Sequence, residues 1–265
     1  MLKIQDIEIP EPGREEILIK VHASTVNRTD CGFLRGEPKF ARAIMGLRTP
    51  KNPILGCEFA GEIAGVGPGV SSFGLDDRVF GFSDTRFGGH GEYLVMAQDA
   101  MVATIPEHMT FQEAAPCTEG ARYALNDIRK ADVGPGQHVL IYGATGAIGS
   151  AAVQLSKFFG ARVSAACNSK DMILVESLGA DEVIDRTKLD LTGITRRYDF
   201  VFDAVGKLSY RQVKPTLTPR GLYCSTDLGP FPQNPILAMT TRFSRGRRVI
   251  FPIPRVNVCA SWLQI

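Results

Sequence analysis

The chain has 265 residues, enough for one large domain or two of ordinary size around a sizeable core. Apolar residues make up 44% and charged residues 22%, a globular balance that argues against disorder and fibrous repeats. Lys+Arg 30 against Asp+Glu 28 leaves a net charge of +2, too even to suggest a nucleic-acid or membrane-surface partner.

The six cysteines are widely spaced and form no Cys-x-x-Cys pair. Neither a disulfide scaffold nor a zinc knuckle is expected, and a reducing, cytoplasmic setting is. Met1–Asp6 carries no apolar run of the kind a secretory leader needs. Val133–Ser156 lacks charged residues, but Gly134, Pro135, Gly136, Gly143, Gly146 and Gly149 interrupt it, so no membrane span is expected there.

Up to about Ile105 the pattern is short and β-like. Ile17, Ile19 and Val21 alternate with Leu18, Lys20 and His22, which predicts a strand with one face on a core. Further strands are predicted at 59–66, 78–82 and 92–96, with glycine corners at 67–69 and 88–89. Many short strands of this kind indicate a small barrel or sandwich. From Thr110 the rhythm changes: Thr110 and Glu113 have the spacing of a capping box, opening a helix at Phe111. Strands follow at 138–142, 162–166, 182–184, 199–203 and 221–225, with helices at 147–159 and 171–178 between them. Alternating strands and helices predict an α/β region built on a parallel sheet with both faces covered.

The segment 142–150, Tyr-Gly-Ala-Thr-Gly-Ala-Ile-Gly-Ser, follows a predicted strand and opens a predicted helix, the context a dinucleotide fingerprint requires. A diphosphate can rest on free N–H groups from Thr145 through Gly146, Ala147 and Ile148 to Gly149, where the helix dipole also favours an anion. Gly146 lets the backbone approach the diphosphate and Gly149 lets helix and strand pack closely; Ala144 replaces the usual first glycine. The next strand ends in Cys167, Asn168, Ser169 and Lys170, without the acid that commonly accepts from a ribose 2′-hydroxyl. Asn168, Ser169, Lys170 and, after the following strand, Arg186 are therefore candidates for a 2′-phosphate, which favours NADPH over NADH. The turns at Gly206 and Leu228 end strands on the same side and are expected to give backbone contacts to the cofactor.

In order and spacing these motifs resemble the medium-chain dehydrogenase/reductase superfamily, in its zinc-free quinone-oxidoreductase-like branch. The resemblance runs through Val21–Asp30, Pro53–Gly61, Gly88–Tyr93, Gly134–Gln137, the glycine turn and Leu178–Asp181. It implies a GroES-like β-barrel catalytic domain over 1–108 and a Rossmann NADP-binding domain, a doubly wound parallel sheet, over 109–252. The active site would lie between them, and 253–265 would begin a return segment. Members of the family start with an additional strand and continue beyond Arg247–Phe251, so both ends of this chain look short. The last Rossmann strand often pairs across a two-fold axis, which implies a homodimer.

Asn27 and Cys57 stand where the zinc branch has Cys and His. Because zinc needs three converging ligands, no metal is expected, and Cys57 and Cys117 are read as small buried residues. The resemblance implies NADPH-dependent reduction of a quinone or an α,β-unsaturated carbonyl. An alcohol dehydrogenase of the same superfamily and a catalytically silent NADPH-binding protein stand as alternatives. Asn27 is the candidate for orienting substrate or nicotinamide ribose, Asp30 for anchoring its loop, and Tyr93 for donating to the carbonyl oxygen, alongside a core-packing reading of that tyrosine. His90 reads as an exposed turn histidine, and Glu119 equally as a site or a surface carboxylate. The pair Tyr210 and Lys214 matches Tyr-x-x-x-Lys but sits too close behind the glycines, and the Arg242, Arg245, Arg247, Arg248 cluster reads as a solvated face beside an edge strand.

Overall fold

The structure, a computed structural model, describes residues 3–36, 53–83, 86–188, 196–229 and 231–252. The proposed return segment 253–265 lies outside them. Two compact units form, one reaching to Thr118 and the other beginning at Glu119.

In the first unit, β1 (Glu16–Ser24), β2 (Glu58–Val66), β3 (Arg78–Phe82), β4 (Tyr93–Ala97) and β5 (Val102–Thr104) form an antiparallel sheet in the order β4-β1-β2-β3-β5. Successive strand residues point to opposite faces, so each strand serves two clusters. Ile17, Ile19, Phe59, Ile63, Val79, Leu94, Met96 and Val102 fill one face. Ala60, Phe80 and Ala103, each one residue on, meet Ile105, Ala114 and Ala115 on the other.

Helix α1 (Arg28–Arg35) was not foreseen from the sequence; Asn27 and Asp30 form its capping box, and Gly36 ends it in the left-handed conformation. The expected Thr110–Glu113 capping box does open α2 (Phe111–Ala114). That helix passes after four residues into a 3-10 turn at Ala115–Cys117 containing Pro116, which has no N–H to continue the ladder. Because Ala114 and Ala115 pack on the sheet, the unit extends to Thr118, ten residues beyond the boundary read from the sequence.

The second unit comprises α3 (Glu119–Ala131), β6 (His138–Tyr142), α4 (Ala147–Phe158), β7 (Arg162–Cys167), α5 (Met172–Ser177), β8 (Glu182–Asp185), β9 (Tyr198–Asp203), α6 (Tyr210–Val213), β10 (Leu217–Ser225), α7 (Gln233–Thr241) and β11 (Arg248–Ile250). Its parallel sheet has the order β11-β10-β9-β6-β7-β8. The chain winds outward from central β6 to β8, then returns to β9 on the opposite side. That is a doubly wound sheet with its switch point between β6 and β9.

Strands buried on both faces are nearly continuous in apolar residues. Val139, Ile141, Phe200 and Phe202 join Ala124, Ile128, Ala152 and Val153 on one side, while Leu140, Val201, Tyr210, Val213 and Tyr223 pack on the other. Tyr210 donates its hydroxyl to the Arg247 carbonyl at 3.0 Å and stacks on Tyr223, so the Tyr-x-x-x-Lys match is structural. Among the described residues no helix is long and apolar enough to cross a membrane.

Candidate functional site

The turn between β6 and α4 is shaped by two glycines. Gly143 has φ 85°, and a Cβ there would come within 2.6 Å of a Val205 methyl; a Cβ on Gly149 would overlap the Gly143 carbonyl oxygen. Gly146 is different. Its φ is −77°, and the nearest atom to a Cβ would be the Gly143 oxygen at 3.8 Å, so nothing among the described residues demands glycine at this position.

No side chain caps α4, and Thr145, Gly146 and Ala147 are exposed. The first-turn N–H groups of Ala147, Ile148 and Gly149 have no acceptor within the helix. They lie at the positive end of the helix dipole, which suits an anionic group.

Neighbouring turns complete the C-terminal edge of the sheet. Asp203, buried at the end of β9, accepts from the N–H of Val205 at 3.2 Å and of Leu208 at 2.7 Å, folding 204–208 back against Gly143. Burial pushes the Asp203 carboxyl above its ordinary range against the pull of those amides. A Cβ on Gly206 would overlap Asp227, so the β9 and β10 turns touch. Leu228 follows, 39% exposed. The expected Thr145–Gly149, Gly206 and Leu228 positions thus lie along one row of adjacent strand ends.

The structure also brings together the residues at the tips of β7 and β8. Register pairs Cys167 with Asp185. Arg186 donates from Nε to Asn168 Oδ1 at 2.6 Å, and Ser169 donates to Asp185 Oδ2 at 2.7 Å. Asp185 also accepts from the Thr187 hydroxyl at 2.6 Å and N–H at 2.9 Å. Those hydrogen bonds, from Thr187 first and Ser169 next, hold its carboxyl down at about 2. Lys170 is exposed beside them. The sequence reading missed Asp185 because it looked for an acid only at the tip of β7, whereas parallel pairing supplies one from the neighbouring strand.

In the first unit Asn27 and Asp30 are brought together and Tyr93 is not joined to them by any hydrogen bond among the described residues. Asn27 Oδ1 accepts from the N–H of Thr29 and Asp30 at 2.9 and 3.3 Å, while its amide nitrogen donates to Cys57 Sγ at 3.2 Å and Glu58 at 3.3 Å. Asp30, 2% exposed, accepts from the Asn27 and Gly56 N–H groups at 3.0 Å each, so it ties the Asn27 loop to the turn before β2.

Glu58, also buried, accepts from Thr25 at 2.6 Å and Thr118 at 2.8 Å. The sequence reading missed this hub; its signal was a lone carboxylate in an otherwise apolar strand start. His90 is exposed, with Nε2 2.8 Å from the Thr25 carbonyl oxygen. Tyr93 begins β4 half-buried, on the face opposite Leu94 and Met96. Cys57 is buried as expected. Cys117 is exposed, correcting the sequence reading, because the 3-10 turn carries it off the sheet; its thiol donates to the Glu113 carbonyl at 3.1 Å.

The chain matches the model of the alcohol dehydrogenase GroES-like domain over residues 13–107 and that of the zinc-binding dehydrogenases over residues 147–251. It is 32% identical over 240 residues to a chloroplastic quinone-oxidoreductase of Triphysaria versicolor, covering 86% of this chain and 71% of that protein. It is 29% identical over 216 residues to the chloroplastic NADPH-dependent alkenal/one oxidoreductase of Arabidopsis thaliana, covering 78% of this chain and 54% of that one. The quinone oxidoreductase structure from Coxiella burnetii aligns with a TM-score of 0.83 at 26% identity, over 99% of this chain and 80% of that one.

The second of those domain descriptions implies a zinc ion, and the donor set present does not fit one. Asn27 directs an N–H, not a lone pair, at Cys57 and commits its oxygen to helix capping. The Cys117 thiol, on the exposed 3-10 turn, donates to the Glu113 carbonyl. Among the described residues no three His, Cys, Asp or Glu side chains converge.

Proposed function

The chain belongs to the medium-chain dehydrogenase/reductase superfamily, quinone-oxidoreductase-like, and from that premise we propose that it is an NADPH-dependent oxidoreductase acting, without a metal, on a quinone or an α,β-unsaturated carbonyl. The observation that carries the cofactor reading is Gly146, a glycine that no described residue demands, at the start of a helix with no side-chain cap among the described residues. In this reading the N–H groups of Ala147, Ile148 and Gly149 hold the diphosphate, with Thr145, Gly206 and Leu228 alongside. Asn168, Lys170 and Arg186 supply donors and positive charge at the ribose end; Ser169 stands beside them.

NADPH, when bound, would supply a hydride to the acceptor carbon, and a fixed donor of this chain would stabilise the negative charge on the acceptor oxygen. Tyr93 is the proposed donor. Asn27 is proposed to orient the substrate or the nicotinamide ribose by exchanging its Cys57 and Glu58 contacts for the ligand, with Asp30 anchoring its loop. The names of the two relatives support the acceptor class, since one is a quinone-oxidoreductase and the other an alkenal/one oxidoreductase. Five described cysteines are free thiols, which suits the proposed cytoplasmic compartment. A homodimer is proposed on the family resemblance.

The test follows NADPH absorbance with a quinone and, separately, with an enal, before and after chelation. Turnover insensitive to chelator is expected. Tight NADPH binding with no turnover of either acceptor would replace the enzyme by a binding protein, and loss of turnover on chelation would restore the metal. Lys170→Ala and Arg186→Ala are each expected to weaken NADPH about tenfold more than NADH, by loss of a charged contact worth about 1.5 kcal/mol; equal losses would end the 2′-phosphate assignment.

A further inference from the structure

The corner at the tips of β7 and β8 holds a proton balance that, given the dinucleotide reading on which it rests, bears on coenzyme choice. A serine hydroxyl has one proton to give and two lone pairs to offer, and an ionised carboxylate only accepts. Ser169 lies 2.7 Å from Asp185 Oδ2, so its proton points at Asp185. Asp185 is held in place on its other oxygen by the hydroxyl and N–H of Thr187, with the Lys188 ammonium 3.7 Å from Oδ2. What Ser169 offers outward is lone pairs. A ribose 2′-hydroxyl can donate to them; a 2′-phosphate, which carries about −1.5 to −2 and acceptor oxygens, cannot.

Arg186 spends Nε on Asn168 Oδ1, which leaves the guanidinium ends, the Asn168 amide nitrogen and Lys170 as phosphate donors. Arg186 stands here against Asp171, Asp185 and Glu176 around the tip of β7, Lys188 lies beside Asp185, and Lys170 sits between Ser169 and Asp171 in the chain. Cations and a misdirected hydroxyl are thus opposed within one corner.

We propose that Asp185 is a specificity-determining, positioning residue: by accepting the Ser169 hydrogen bond and placing a negative charge behind it, it restrains the preference for NADPH and keeps NADH an acceptable coenzyme. Asp185→Asn tests this with little change of shape, since an amide can still accept from Thr187 while its nitrogen donates to Ser169 and turns the serine proton outward.

The readout is the pair of dissociation constants for NADPH and NADH, titrated by the fluorescence of the bound reduced nicotinamide, with no acceptor present. The Kd ratio is expected to move about tenfold toward NADPH, the size of one charge-assisted hydrogen bond gained. Ser169→Ala probes the same relay without touching Asp185, and stands in should Asp185→Asn unfold. It is expected to weaken NADH more than NADPH, because the lone pairs it removes serve the 2′-hydroxyl. An unmoved ratio in Asp185→Asn, or a Ser169→Ala variant that loses NADPH more than NADH, overturns the assignment alone. Wild-type protein that binds neither dinucleotide overturns the cofactor reading and this assignment with it.

Discussion

In the barrel unit the buried carboxylate Glu58 is met by the hydroxyls of Thr25 and Thr118 and the amide of Asn27, whereas in the dinucleotide unit the buried carboxylate Asp127, on α3, meets the Asn126 amide, at 3.1 Å, and the Cys224 thiol. The first arrangement is a knot: it ties the loop after β1, the start of β2 and the turn after α2 to one another. The second is a polar group under apolar cover, and burial pushes its carboxyl up to about 7. A similar contrast separates the two candidate site regions. Asn27 spends its side chain on its neighbours, while the start of α4 leaves main-chain donors unspent. Polar groups that satisfy each other serve the fold first; polar groups left open at a sheet's C-terminal edge point to a ligand.

The largest expected effect separates the two carboxylates. Asp127 has a folded pKa of about 7 against an ordinary value of 3.8, so the folded chain keeps a proton that the unfolded chain has already lost. Stability is therefore highest below about pH 4 with respect to this group and falls as pH rises toward 7, by up to about 4 kcal/mol at 1.36 kcal/mol per unit. Asp127→Asn should remove that slope in denaturant titrations between pH 5 and 8, at ~1 kcal/mol or more gained at the upper end. A slope identical to wild type would mean that Asp127 is ionised and solvated.

Next, Glu58→Ala leaves two hydroxyls and an amide without their acceptor and should cost about 3 kcal/mol, read as a lower denaturation midpoint at unchanged m-value. A loss well under 1 kcal/mol would dissolve the knot as described.

The glycine turn comes third. Gly149→Ala forces a methyl onto the Gly143 carbonyl and should cost about 2 kcal/mol, with NADPH affinity falling at least about tenfold through the displaced turn. Gly146→Ala has room, so stability should stay within about 0.5 kcal/mol while NADPH affinity still falls. If both variants lose stability and affinity in proportion, Gly146 is structural. Asn27→Ala should cost about 1 kcal/mol for the lost cap of α1, read by thermal denaturation.

Much of the fold was legible beforehand. Continuous apolar runs at 139–141 and 200–202 mark strands covered on both faces, and Thr110–Glu113 marks a helix start, because these are local patterns with local causes. Helix α1 was not read, since its capping box lies inside a polar stretch that also suits a loop, and α2 stops early only because Pro116 follows. Of the site, the glycine turn was readable because its function is carried by backbone shape. Glu58 was not, because the donors that meet it come from segments more than 30 residues away on either side.

The amino-acid sequence by itself determined the two-unit α/β plan, the strand–glycine turn–helix at 142–150 and, through the family resemblance, Asn27 and Cys57 in place of the zinc branch's Cys and His, since periodicity, glycine spacing and residue identity need no partner to be read. Only the tertiary structure decided that Asn27 is held by Cys57, Glu58 and its own helix cap, that Cys117 turns outward, and that Asp185 accepts the hydrogen bond of Ser169. Each of these depends on which strands lie side by side and in what register, and hydrogen bonds a few ångströms long form between residues that the chain keeps far apart.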